Sequence, residues 1–292
     1  MAPKIVFIVP YRDRAPQLNV FRIMMKNLME DYEPGSYEIC VAHQSDRRPF
    51  NRGAMKNLGF IAIKNKYIEH YKDITFVFHD VDTFPCWKGL LKYETNHGVV
   101  KHFYGFKHTL GGIVSITGKD FERINGFPCL WSYGYEDNLL QTRCTRARIK
   151  IDRSVFFPIG HPYIFQSVDH FVKSVNRNWK NLLKNDDTSN GISTIKDISY
   201  HWDNEVANFT AFNTKMKVTD EDRMDVNLLT NKPLNDKFDI FKMNMNAGNS
   251  QATVNNRDII KTVNKTDAMP LRLFQNRARF MRRGGLGFMS KQ

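Results

Sequence analysis

The sequence has no long apolar run: nothing in its 292 residues approaches the roughly 20 consecutive apolar positions that cross a bilayer. It is poor in cysteine, with Cys40, Cys86, Cys129 and Cys144 widely scattered and no CxxC pair. That scatter excludes a dense disulfide scaffold, argues against a structural zinc site and reads as four free thiols. The 17 Gly and 11 Pro follow no period, which excludes a collagen-like or low-complexity chain. A charged start, an apolar region and a small-residue cleavage site are also lacking, so a protein that is cytoplasmic or otherwise soluble and intracellular is expected. Helix-turn-helix, zinc-finger and RNP-like patterns are missing too, so the net charge of +13 does not by itself make a nucleic-acid partner. Nucleic acid, an anionic membrane or a phosphorylated substrate would each suit that balance, and a lysine-rich solvated surface accounts for it better.

What is present is an ordinary globular composition, 41% hydrophobic and 25% charged, long enough to bury a sizeable core. Lys4-Ile-Val-Phe-Ile-Val-Pro10 is a continuous apolar run, as expected of a strand buried on both faces. A helix over 16–30 follows, with Leu18, Phe21, Met24, Met25 and Leu28 near a 3.6 period. Tyr37 to His43 reads as a second strand, Gly53 to Tyr71 as a second helix, and Ile74 to Asp80 as a third strand. This order predicts an α/β domain on a mainly parallel sheet. Beyond 218 the periodicity weakens, and 270–292 carries five Arg, one Lys and no acid. The expected organisation is therefore a domain over 1–218 and a polar, basic, partly disordered extension over 219–292.

In open α/β sheets ligands sit beyond the carboxyl ends of the strands. The unusual residues gather at those ends: Tyr11-Arg-Asp-Arg14, Gln44-Ser-Asp-Arg-Arg48 and Asp80-Val-Asp82. In a strictly extended strand, Asp80 and Asp82 point to one face, an oxygen pair suited to a hard divalent cation that would offset a nucleotide diphosphate. Arg12, Arg14 and Arg52 supply forked donors for phosphate, and Phe50 or Tyr11 can pack on a base or ribose. Gly111-Gly112 permits close backbone approach to a ligand. Trp131-Ser-Tyr-Gly-Tyr-Glu136-Asp137-Asn138 sets aromatic faces for a sugar beside two acids, one of which can take a hydroxyl proton.

In this order the segments resemble those of the β-1,4-galactosyltransferases, inverting enzymes of the GT-A fold. Pro10-Tyr-Arg-Asp-Arg14 is similar to the family's Pro-Phe-Arg-x-Arg, Phe50-Asn-Arg52 matches Phe-Asn-Arg, and Phe78-His-Asp-Val-Asp82 resembles its Asp-Val-Asp segment. Gly111-Gly112-x-x-Ser115, Asn125-Gly-Phe-Pro128, Trp131 to Asn138 and Ser189 to Thr194 extend the resemblance over about 4–215.

The resemblance implies a UDP-sugar donor, a glycan or glycoconjugate acceptor, and manganese, with magnesium as the alternative. It gives donor roles to Pro10, Tyr11, Arg12, Arg14, Phe50, Arg52, Asp80, Thr109, Gly111 and Gly112. Trp131, Tyr133, Glu136 and Asp137 face the acceptor, Asp137 as the general base with Glu136 beside it. Asp82 binds the metal together with His170, or His161 as the alternative. Ser167 stands where common members have a metal-binding Met, and Asp169 is a candidate to compensate. Tyr133 replaces a sugar-stacking Trp, Tyr135 a Gly, and Asn138 an acid. Thr109 replaces a Tyr that crowds the donor's C2 group, which leaves room for N-acetylgalactosamine as well as galactose. The rival reading is a catalytically silent GT-A-like protein that binds glycan or nucleic acid.

Overall fold

The structure, a computed structural model, describes residues 2–167, 171–218, 223–227 and 232–233. Strand β1 (Ile5–Tyr11) is followed by helix α1 (Ala15–Leu28), β2 (Tyr37–Gln44), α2 (Arg52–Lys66), β3 (Thr75–His79) and the short β4 (Thr83–Pro85). Then come β5 (Val99–Gly105), β6 (Ile113–Thr117), α3 (Gly118–Arg123), α4 (Glu136–Arg146), β7 (Lys150–Asp152), β8 (Phe157–Pro158) and β9 (Ile164–Gln166). The described chain closes with β10 (Val172–Asn176), α5 (Trp179–Lys184), a 3-10 turn (Ile192–Thr194), β11 (Lys196–Asp203), β12 (Val206–Asn213), β13 (Arg223–Asn227) and β14 (Lys232–Pro233).

The central sheet runs β11-β12-β2-β1-β3-β6-β5-β7, with β8 added beside β5. Strand β1 pairs parallel with both β2 and β3, and β2 parallel with β12; β6 is antiparallel to its neighbours β3 and β5. The sheet is therefore mainly parallel, as the β-α-β-α-β order requires. Strand β1 shows why an unbroken apolar run is needed there: Val6 and Ile8 enter one core, and Ile5, Phe7 and Val9 the other. Helix α1 opens with proline in its first turn and buries Leu18, Phe21, Met25 and Leu28, one face at helical spacing. Helix α2 starts where the Asn51 side chain accepts from the Ala54 amide at 2.9 Å. It ends at Lys66, short of the expected Tyr71, because 67–73 wind into turns.

Two units divide the chain, Met1–Val168 with Val175–Arg223, and Asp169–Ser174 with Met224–Gln292. The first holds the central sheet. In the second, the described strands hydrogen-bond in the order β10-β13-β14. Most of 219–292, and with it the expectation of partial disorder, lies outside the described residues. Among the described residues no helix is long and apolar enough to cross a membrane. All four cysteines are free, three of them buried, and only Cys86 is exposed.

Candidate active site

The loops that leave β2 and β3 at their carboxyl ends meet the start of α4, and one side chain joins them. Arg52, the first residue of α2, donates from Nη2 to Asp80 at 2.5 Å and from Nη1 to Asp137 Oδ2 at 2.9 Å. The same Nη1 also bonds Glu136. Burial opposes a charge on Arg52, but Asp137, Asp80 and Glu136 together hold it firmly protonated. One turn further along α2, Lys56 donates from Nζ to the other oxygen of Asp137, Oδ1, at 2.9 Å. Residues four apart share a helix face, so Arg52 and Lys56 grip the same carboxylate from one side.

The two acids that open α4 respond oppositely to this setting. Burial would raise the proton affinity of Asp137, but Arg52 and Lys56 outweigh it and hold the carboxyl below the usual range. Glu136 goes up, through burial and the charge of Asp137, against the pull of Arg52 and Lys56. The base candidate is thus the acid held ionised, and its neighbour is the one inclined to keep a proton.

Gly111 is required by that carboxylate, since a Cβ there would lie 2.3 Å from Asp137 Oδ2. Gly112 has φ +73°, and its Cβ would meet the Tyr104 carbonyl oxygen at 2.3 Å. The Leu110 amide bonds the Asp137 carbonyl at 3.0 Å, which ties the glycine loop to the helix start. Buried His102 supports this loop: its Nδ1 accepts from Arg153 Nε at 3.0 Å, so Nε2–H donates to the Tyr104 and Gly111 carbonyls, each at 3.0 Å. Burial, then the Arg153 charge, push its pKa down to about 4, which keeps the ring neutral. Arg153 also donates to the Thr109 carbonyl at 3.1 Å.

Asp80 and Asp82 do not share one face of a strand as expected. Strand β3 ends at His79, and a turn closed by the Thr83 amide on the Asp80 carbonyl carries both acids. Different arginines therefore hold them, Arg52 on Asp80 and Arg14 on Asp82, the latter at 3.4 Å. The pKa of Asp82 goes up to about 6 through burial and the charge of Asp80, against Arg14 and Thr83. This oxygen donor set, with negative charge left partly uncompensated, fits a hard divalent cation. Among the described residues no group of three His, Cys, Asp or Glu side chains is placed to complete the shell. His170 and Asp169 lie outside the described residues. His161 precedes β9, at the end of the β4–β9 ribbon where the Cys86 amide bonds the Tyr163 carbonyl; the opposite end of the ribbon meets Asp82 at Ser167, whose amide bonds the Asp82 carbonyl at 2.8 Å.

The remaining expected residues are spread around this centre. Pro10 is buried within β1, and Tyr11 packs edge-on against His43 with centroids 5.1 Å apart. Arg12 donates to the Arg48 carbonyl, and Phe50 is half-buried against the core beside α2. Buried Gln44 shapes the loop between them, donating to Asp46 at 2.8 Å and to the Pro49 carbonyl at 3.1 Å and accepting from the Asn51 amide at 2.8 Å. Thr109 is buried, its hydroxyl 3.3 Å from the Phe106 carbonyl. Trp131, expected against the acceptor, is only 6% exposed. Its ring stacks on Phe212, and its Nε1 donates to the Met216 carbonyl at 2.8 Å. Tyr133, by contrast, is 47% exposed. Tyr135 takes a left-handed backbone with φ +71° at the N-cap of α4 and stacks on Trp179, with ring centroids 5.0 Å apart. The site residue that sequence reading missed is Lys56; its four-residue spacing from Arg52 was the available signal.

A mainly parallel sheet with arginines and paired acids on its carboxyl-end loops, and an acidic helix start facing a Gly-Gly turn, defines the GT-A class of nucleotide-diphospho-sugar transferase fold. Residues 1–89 match the N-terminal region of glycosyl transferase group 7, and residues 97–167 match the N-terminal domain of galactosyltransferase. The chain belongs to this group, the β-1,4-galactosyltransferase family. It is 29% identical over 180 residues to the β-1,4-galactosyltransferase 5 of Danio rerio, covering 57% of this chain and 44% of the relative. To the xylosylprotein 4-β-galactosyltransferase of Caenorhabditis elegans it is 27% identical over 159 residues, 51% of this chain and 53% of that one. The chain thus spans about half the length of these curated relatives. The catalytic domain of Drosophila β-1,4-galactosyltransferase 7, solved with xylobiose, shares the fold with a TM-score of 0.56 at 20% identity, over 74% of this chain and 96% of that one. A mutant of the same fly enzyme, solved with manganese, UDP-Gal and xylobiose, matches over the same shares with a TM-score of 0.57 at 19% identity.

Proposed function

We propose that the protein is a metal-dependent inverting glycosyltransferase that moves galactose or N-acetylgalactosamine from a UDP-sugar to a hydroxyl of a glycan acceptor. The observation that carries this reading is Asp137: a carboxylate kept ionised at a helix start, against a backbone that only glycine permits, and linked through Arg52 to the Asp80–Asp82 turn. Asp137 takes the proton of the acceptor hydroxyl as that oxygen attacks the anomeric carbon. Glu136 and the exposed face of Tyr133 orient the acceptor, with Trp131 as the wall behind them. Arg12, Arg14 and Arg52 draw the diphosphate towards Asp82, and Tyr11 and Phe50 border the nucleotide. Asp82 and His170 would hold a divalent cation, manganese by family likeness, which would supply charge to stabilise the departing diphosphate.

The test is release of nucleoside diphosphate from UDP-galactose, UDP-GalNAc, UDP-glucose and UDP-GlcNAc with simple sugar acceptors, with manganese and with EDTA. Manganese-dependent turnover of a galactose-configured donor is the expected result. If no donor is turned over in manganese, the reading falls.

Two further outcomes follow from the reading. Asp82→Ala and His170→Ala should each raise the manganese concentration needed for half-maximal turnover, and His161→Ala should leave it unchanged. A rise with His161→Ala alone would reassign the ligand. Wild-type protein should accept UDP-GalNAc at a rate comparable with UDP-galactose, because Thr109 is short. Thr109→Tyr should shift the preference towards galactose by about 1–3 kcal/mol, the scale of one small steric difference in a pocket. Competition between the two donors at equal concentration reads this directly, and strong wild-type rejection of the N-acetyl sugar would end the open-pocket idea.

A further inference from the structure

Lys56 is 2% exposed, in the second turn of α2, within the stretch Gly53 to Phe60 that is buried throughout. A lysine is rarely so deeply buried unless its charge has a fixed partner. Here Nζ lies over the Phe127 ring, 4.3 Å from its centroid, and its ion-pair partner is Asp137 Oδ1 at 2.9 Å. The other oxygen of that carboxylate faces Gly111 and bonds Arg52. The two grips are not equivalent. Arg52 is shared among three acids and stands, on the reading proposed above, where the donor diphosphate must be met. Lys56 is enclosed, its Nζ held between the carboxylate and the Phe127 ring.

We propose that Lys56 is a positioning residue for the transfer step: it pins Oδ1 of Asp137, so that the carboxylate keeps its orientation when Arg52 turns to the donor and Oδ2 becomes free to accept the acceptor's proton. This rests on the proposed function for its catalytic consequence, and on the buried contact alone for its structural one. Oδ2 then forms the new O–H bond as the acceptor's O–H breaks, and Lys56 keeps its own proton throughout. Among the described residues, the groups that face Asp137 are Arg52 and Lys56 from α2, Glu136 on its own helix, Tyr133 from the loop before it, Asp80 through Arg52, and neutral His102 from β5 behind Gly111.

Two variants separate the hydrogen bond from the charge. Lys56→Met removes both and should lower kcat by about 10²-fold, the cost of a reacting group misplaced by an ångström, with the donor KM unchanged. It should also move the acid limb of kcat/KM to higher pH, since a cation that favours the ionised base is gone. Lys56→Gln restores a neutral donor and should recover most of kcat while leaving the acid limb displaced. A Lys56→Met enzyme with wild-type kcat and pH profile overturns the proposal. Thermal unfolding tests the contact without any turnover. Lys56→Met should lower the midpoint in the wild-type background and much less in the Asp137→Asn background. Equal losses in the two backgrounds would reject the pairing, and they would do so even if no donor were ever turned over, an outcome that removes the functional reading separately.

Discussion

Asp137→Asn is expected to lower kcat by about 10²–10⁴, the range of a lost general base, while UDP and manganese affinity stay close to wild type. The side chain keeps its length, so the Gly111 space is still filled. What changes is that an amide has one acceptor oxygen where the carboxylate has two. Both oxygens of Asp137 face cationic donors, Arg52 at 2.9 Å and Lys56 at 2.9 Å, so either orientation of the amide turns its NH2 towards a positive charge. The variant therefore loses its proton acceptor, while Arg52, still held by Asp80 and Glu136, stays in place for the diphosphate. The wild-type enzyme should show a matching pH response. Because Arg52 and Lys56 hold Asp137 below the usual carboxylate range, the base stays ionised from neutral into mildly acid solution. The acid limb of kcat/KM attributable to it should thus appear only at low pH, below where an unperturbed aspartate titrates. Steady-state kinetics on the variant and a pH series on the wild type check both points. Near-wild-type turnover in Asp137→Asn would take that residue out of the mechanism.

Arg143→Ala is expected to cost about 3–5 kcal/mol of folding stability, the cost of breaking a buried ion pair from one side. Arg143 lies in α4, two turns after the acids, and is among the largest fully buried side chains. Its guanidinium makes a forked pair with Asp186, at 3.0 and 2.7 Å, and also donates to the Gly126 carbonyl at 2.9 Å and the Asn190 carbonyl at 2.8 Å. Alanine would strand a carboxylate that is itself only 4% exposed, with Arg146 3.8 Å away as a partial replacement. The same contacts tie α4 to the loop after Asn125 and to the 186–190 segment, so the loss should spread to the start of the helix. Urea unfolding measures the effect. A double variant, Arg143→Met with Asp186→Leu, should lose less than Arg143→Met alone, because no charge is then left unpaired. A loss below about 1 kcal/mol for Arg143→Ala, the scale of an exposed pair, would show that the network carries little of the fold.

Sequence by itself determined much of this protein. The unbroken apolar run of β1, the four core residues of α1 at helical spacing and the β-α-β-α-β order are local periodicities. They report burial on two faces or one without any knowledge of partners, and they lead to the mainly parallel sheet and to a site at its carboxyl ends. The motif order from Pro10 to Asn138 added the family. Only the tertiary structure decided how the residues at that site divide their work. Arg52 and Glu136 are 84 positions apart, and no local pattern says that one guanidinium will hold Asp80, Glu136 and Asp137 together. The same holds for Lys56, which reads as an ordinary helix lysine until packing buries it against Phe127 and Asp137. Trp131 and Tyr133 look alike as aromatic faces for a sugar. Which one is exposed depends on Phe212 and Met216, about 80 residues further along, closing over the first. The Asp80–Asp82 pair turned out to be held by two arginines on a turn because β3 stops one residue early, where pairing with β6 ends at His79 and Ile113. Periodicity carries information about solvent and core; the identity of a charge's partner is set by chain segments that meet only when the sheet is assembled.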